Sequence, residues 1–141
     1  MTYQQIIETW GEIARAASEK WGLRQSLILA DIRQESSGDP SAVSHCGAVG
    51  LMQIMPIALK DFNRLYGAEI PFEYMTQAAV NVDVGTGFLK YLITRFDGDE
   101  RLGLQAYNQG YSRVRRDPTA GTWYADGVLK HDAEFTALLS A

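Results

Sequence analysis

Apolar residues in the first 21 positions recur at helical spacing: Ile6, Trp10, Ile13, Ala17 and Trp21 step by four, three, four and four. Such a stripe marks one face of an amphipathic helix, read here as core rather than as a partner-binding face. Thr2 and Gln5 stand at capping-box spacing at its start, and Gly22 closes it. A second helix, 25–36, carries Ile28 and Ile32 on one face, and Glu35 falls three residues after Ile32 on that same face. Residues 38–49 are rich in Gly, Ser, Pro and Asp and read as a loop or short hairpin. Residues 51–55 are expected to run extended, and Pro56 to open a third helix through Tyr66. An aromatic-bearing loop, 67–76, holds Phe72 and Tyr74. The helix 77–96 offers Ala79, Val82, Phe88, Leu89, Leu92 and Phe96 to the core, with Gly85 and Gly87 trading propensity for close helix packing. A turn at 96–99, a helix over 100–109, a basic loop over 111–121 and a last helix from Thr122 to Leu139 complete the pattern. It predicts a mainly α chain forming one domain over 1–141, without repeats, low-complexity tracts or linkers.

Composition narrows the function. A hydrophobic content of 46% with 21% charged residues is that of an ordinary globule. The net charge of −4 and isoelectric point near 5.1 supply no basic field, which argues against a nucleic-acid partner and makes any polyanion depend on a shaped groove. No run of about 18 apolar residues occurs, so no membrane span is expected. Met1-Thr2-Tyr3-Gln4-Gln5 has neither a basic nor an apolar leader region, so the expectation is a chain made in the cytoplasm. The single cysteine, Cys46, allows no internal disulfide and reads as a small loop or buried thiol. His45 and His131 form no ligand cluster, so neither metal nor cofactor is expected.

Glu35 is the candidate for chemistry. A carboxylate on an apolar stripe loses hydration, and the C-terminal end of a helix dipole disfavours the anion, so both effects keep it protonated. The alternative is a helix-end glutamate that reaches water past Gly38. Asp31 stands one turn earlier on the same helix and cannot easily face Glu35 across a ligand. Asp39 reads as a solvated turn residue.

Spacing downstream changes the balance. Glu35-Ser36, Ser44 nine residues on, and Gly47-Ala48-Val49-Gly50-Leu51-Met52-Gln53 resemble the soluble lytic transglycosylases of the lysozyme-like superfamily. Ala106-Tyr107-Asn108-Gln109-Gly110 resembles that family's Ala-Tyr-Asn-x-Gly motif. Asn81-Val82-Asp83-Val84-Gly85 and Thr122-Trp123-Tyr124 with Val128 resemble weaker signatures. The chain departs from the family at Gly121, where a glutamate often precedes the threonine. The motifs run in family order from about Leu23 to Leu129.

The resemblance implies a lysozyme-like fold of the goose-lysozyme type, with a small loop or hairpin region beside the catalytic helix. It implies peptidoglycan glycan strands as substrate and Glu35 as the single catalytic acid. Ser44, Met52, Gln53, Tyr107, Asn108 and Tyr124 become substrate-binding candidates. Each has a structural alternative: Ser44 satisfying its loop, Met52 packing, Asn108 capping a helix, Tyr107 and Tyr124 serving as core. The resemblance also implies the reaction, cleavage of the β-1,4 bond between N-acetylmuramic acid and N-acetylglucosamine with a 1,6-anhydro end as product. Two other readings stand beside it. One is a goose-type-like muramidase using water. The other is a catalytically silent wall-binding or virion structural module, against which the intact Glu35-Ser36 and Gln53 argue. The expected setting is the bacterial wall, reached as a monomer, with a phage particle or secretion apparatus as delivery partner.

Overall fold

The computed structural model describes residues 1–141. Seven α-helices follow one another: α1 (Tyr3–Trp21), α2 (Gln25–Ser36), α3 (Pro56–Tyr66), α4 (Ala78–Arg95), α5 (Glu100–Gln109), α6 (Tyr111–Arg116) and α7 (Thr122–Leu139), with a 3-10 turn at Phe72–Thr76. The mainly helical expectation is met, and β structure is limited to isolated bridges from Val49 to Val43 and to Ile54.

α2 is the axis of the molecule. It packs between α7 and α1, and Ser26 through Ile32 are all buried. Burial on every side explains why its apolar stripe is broad rather than amphipathic. α1 lies over it with Ile6, Ala14 and Ala17 turned inward. The Thr2/Gln5 capping box forms as expected, and Gly22 ends α1 at φ 77°. Gly85 and Gly87 allow the close approach expected of them: a Cβ at Gly85 would lie 2.8 Å from Met52 Cβ, and one at Gly87 would lie 2.7 Å from the Trp21 ring.

Three sequence expectations are corrected. Residues 51–53 form a tight turn instead of an extended strand, with Val49 and Ile54 exchanging backbone hydrogen bonds across it. The basic stretch 111–116 is helical. Tyr111 and Val114, three residues apart, anchor it onto a small second core with Leu92, Ala106 and Ala120, and the Arg95 guanidinium sits 3.7 Å from the Tyr111 ring centroid. Ala79 is exposed, and Phe88 and Phe96 are only half-buried, while Val84 and Ile93 take the inward positions of α4.

Candidate active site

The last two turns of α2 hold two carboxyl groups on one side. Asp31 is fully buried, and Glu35, one turn later, is half-buried. Tyr124, in the first turn of α7 and 1% exposed, places its hydroxyl between them, 2.5 Å from Asp31 Oδ1 and 2.8 Å from Glu35 Oε2. One phenol carries one proton and cannot donate to both. At least one carboxyl is therefore protonated in this arrangement. Asp31 Oδ2 has no partner and no solvent contact, whereas Glu35 Oε1 has no protein partner and remains open to solvent.

The electrostatics follow from that burial. Desolvation pushes the Glu35 carboxyl well above the usual carboxylate range, Asp31 would push it further whenever it is ionised, and the Tyr124 hydrogen bond opposes both. Asp31 is raised by the same desolvation, again opposed by Tyr124. No ion pair of the molecule includes either group. The phenols of Tyr107 and Tyr124 are pushed up by burial and by the neighbouring carboxyls, so both remain neutral donors.

These shifts carry a stability consequence. A folded-state pKa above the unfolded value means the folded protein holds the proton more tightly. The stabilisation is complete below the unfolded carboxyl range, about pH 4, and is lost as pH rises through the folded values. The double variant Asp31→Asn/Glu35→Gln should therefore match wild-type thermal stability at pH 4 and exceed it at pH 8, by something on the order of 1–3 kcal/mol. Parallel melting-temperature profiles across that range would mean the carboxyls are not raised.

The segment 49–54 is held by Asn81 of α4. The buried Asn81 side chain accepts from Met52 N–H (2.8 Å) and donates to the Val49 and Met75 carbonyls (2.8 Å each). Gly50 adopts φ 85°, and a Cβ there would collide with the Asn81 amide and the Met75 carbonyl, so glycine is required twice over. Gln53 sits at φ 53°, an uncommon conformation for a residue with a side chain. Its Nε2 donates to the Ala42 and Gly50 carbonyls, 3.0 Å each, leaving Oε1 unpaired and accessible. Ser44 Oγ accepts from the Ala48 and Cys46 N–H groups at 3.0 and 3.2 Å, closing its own loop. The Tyr107 hydroxyl donates to the Met52 carbonyl at 2.7 Å, tying α5 to this turn. The Met52 side chain is buried against Gly85 and bonded by the Thr86 hydroxyl through its sulfur, so it lines no cleft, a correction to its expected sugar-facing role. Asn108 is exposed, its Oδ1 taken by Gln109 and its amide nitrogen without a protein partner.

Tyr107 and Asn108 also border a groove of about 430 Å³ with Met55, Phe88, Tyr91 and Tyr111. A larger hollow of about 1080 Å³, between α1, Ile70-Pro71 and α4, contains none of the expected site residues. Two residues named in the sequence take site roles that residue-level reasoning did not assign them, Asp31 and Asn81. Asp31 was recognisable from the unbroken apolar run Leu27–Ala30 before it, which leaves no solvent face. Asn81 stood in the Asn81-Val82-Asp83-Val84-Gly85 signature, but nothing in that stretch pointed to its role in holding the 49–54 turn. Cys46 is exposed and has no role in this geometry.

The comparisons with known proteins follow this architecture. The transglycosylase SLT domain model matches residues 12–126. Membrane-bound lytic murein transglycosylase C of Klebsiella pneumoniae is 45% identical over 114 residues, covering 74% of this chain and 32% of that protein. The soluble lytic murein transglycosylase of Escherichia coli K12 is 33% identical over 112 residues, covering 77% of this chain and 16% of the relative. The chain thus spans about a third or less of these relatives' length. Among solved structures, an inactive mutant of the lytic transglycosylase Slt from Pseudomonas aeruginosa superposes with a TM-score of 0.86 at 27% identity, over 94% of this chain and 25% of that one. The 70-kDa soluble lytic transglycosylase of E. coli, at 24% identity and a TM-score of 0.84 over 92% of this chain and 24% of its own, shares the fold. With a match over most of its length and the same helical architecture, the chain belongs to the transglycosylase SLT domain family.

Proposed function

We propose that this chain is a peptidoglycan lytic transglycosylase that cleaves the β-1,4 bond between N-acetylmuramic acid and N-acetylglucosamine, with Glu35 as its one catalytic acid and base. The observation that carries this reading is the placing of the second carboxyl. Asp31 is the carboxyl beside Glu35, and at 0% exposure it can neither touch a sugar nor activate a water in a cleft. Asp39 is exposed and accepts the Ser41 N–H within its own turn. A hydrolase built on two flanking carboxylates needs a second one open to the substrate.

In this scheme the proton on Glu35 Oε1 passes to the glycosidic oxygen as the C1–O bond breaks. The substrate's N-acetyl oxygen stabilises the cationic carbon. The C6 hydroxyl of the same sugar then attacks C1 and returns its proton to Glu35, giving the 1,6-anhydro end and restoring the acid. Being tethered, that hydroxyl acts at an effective concentration far above a free acceptor's. The accessible Gln53 Oε1 and Asn108 Nδ2 serve as hydrogen-bonding groups for the sugars. Tyr124 holds the acid. Ser44, Tyr107 and the Met52 carbonyl act by fixing the walls of the site. The names of the relatives, lytic murein transglycosylases, agree in substrate and reaction class.

The product decides between this reading and the muramidase reading. Digestion of purified peptidoglycan in isotopically labelled water should release muropeptides one water lighter than hydrolysis products and free of label. Labelled reducing ends as the dominant product would overturn the transglycosylase reading. Absence of any release would favour the silent wall-binding module.

A further inference from the structure

We propose that Asp31 is a positioning residue for Glu35. As a neutral acid it donates its proton to the Tyr124 hydroxyl, Tyr124 donates in turn to Glu35 Oε2, and this direction of the chain leaves the acidic proton of Glu35 on Oε1, the oxygen open to substrate. The proposal rests on the reading of Glu35 as the catalytic acid.

The geometry offers two directions for the chain, and burial selects one. The Tyr124 hydroxyl lies within hydrogen-bond distance of both carboxyls but has one proton to give. If Asp31 were the acceptor, it would be either an anion with 0% exposure, no cationic partner and an unpartnered Oδ2, or an acid whose Oδ2–H is a buried donor with nothing to donate to. A buried carboxylate oxygen with neither donor nor water is among the costliest arrangements in a protein interior. With the proton on Oδ1, Oδ2 is merely a carbonyl oxygen lacking a partner, a much smaller penalty. The reverse direction also defeats the chemistry, because Glu35 would spend its proton on Tyr124.

The surroundings support a neutral Asp31. From α7 it faces Tyr124, from α5 Tyr107 acts on the same pair, and from its own helix it faces Glu35. The Tyr107 hydroxyl is committed to the Met52 carbonyl. The cations of α2 and its N-cap are spent elsewhere, Arg24 on Glu100 and Asp132, Arg33 on the Ser37 hydroxyl. On the α1 side, Tyr3 is bonded to His131, and Lys20 and Arg15 pair with Asp83 and with Glu12 and Glu19. Burial pushes both carboxyls of the pair upward, so both hold their protons in the acid half of the pH range. Once Glu35 has given up its proton, the same chain stabilises the resulting carboxylate, since Tyr124 already points its O–H at Oε2.

The test compares Asp31→Asn with Asp31→Leu in the full chain. The asparagine amide donates to Tyr124 and preserves the direction of the chain, while leucine fills the volume without a donor. Muropeptide release should fall about tenfold or more in Asp31→Leu, the equivalent of one lost transition-state hydrogen bond, and most of that loss should be recovered in Asp31→Asn. In carbon-13 carboxyl titrations of wild-type protein, Glu35 should lose its proton at lower pH than Asp31. Equal release by all three proteins would overturn the proposal. So would an Asp31→Asn variant as impaired as Asp31→Leu, which would mean that the charge of Asp31 is what matters. An Asp31 signal titrating before Glu35 would overturn it as well. Should Asp31→Leu not fold, the order of the two titrations decides alone. Should wild-type protein release no muropeptides, the functional reading fails while that order still decides the role of Asp31.

Discussion

Glu35→Gln is expected to lower the rate of muropeptide release by about 10³-fold or more while leaving the fold intact. The amide has nearly the shape of the acid and still reaches the Tyr124 hydroxyl, so α2, α7 and the groups proposed to bind glycan stay in place. It lacks a transferable proton, and no other group replaces it: Asp31 is sealed behind it, and the phenol of Tyr124 is held far from ionisation by burial. The loss should therefore fall on turnover and spare glycan affinity. The same variant should melt at higher temperature than wild type at pH 8, because a raised carboxyl has been removed. Lower activity with higher stability in one protein distinguishes a catalytic acid from a structural glutamate, whose loss would weaken both. Clearance of a wall suspension at wild-type rate by Glu35→Gln would remove Glu35 from the reaction.

How far the site was legible before the structure depended on the range of the interactions involved. Glu35 was found because helical periodicity is local: Ile28, Ile32 and Glu35 share a face whatever the rest of the chain does. The bounds of α1, α3 and α7 were found for the same reason, through the Thr2 cap, Pro56 and the Thr122–Leu139 pattern. The stretch 51–55 was misread because its turn is held by a side chain 29 positions away from Met52, which no local pattern contains. The basic stretch 111–116 was misread because three arginines masked Tyr111 and Val114, whose spacing suits a helix. For Ser44 and Gln53 the residue types suggested ligand contacts. The structure commits the Ser44 Oγ lone pairs and the Gln53 amide nitrogen to the loop and leaves Gln53 Oε1 and the Ser44 O–H available. Which end of an amide faces outward is a property of the folded loop, not of the motif.

The largest loss of stability is expected at Asn81, which never meets substrate. Its side chain makes three hydrogen bonds in a buried place, with Met52 N–H, the Val49 carbonyl and the Met75 carbonyl. Asn81→Ala strands all three groups away from water and opens a small cavity. At 1–3 kcal/mol for each orphaned group, offset where water enters, the cost should be roughly 3–5 kcal/mol, or about 10–15 °C in melting temperature. Activity should fall even well below the transition, because the turn that presents Gln53 and the Met52 carbonyl bonded by Tyr107 has lost its tether. Asn81→Asp is the informative companion. Its carboxylate still accepts from Met52 N–H but turns its other oxygen against two carbonyls, so the folded state should favour its neutral form. The aspartate's pKa is then raised on folding, and the variant should be most stable below about pH 4 and lose that stability as pH rises through the folded value. Thermal unfolding of both variants between pH 4 and pH 8 reads this directly. If Asn81→Ala melts within a degree or two of wild type, the turn is held by the Val49–Ile54 backbone pair instead, and the bonds of Asn81 follow from the loop's shape without causing it.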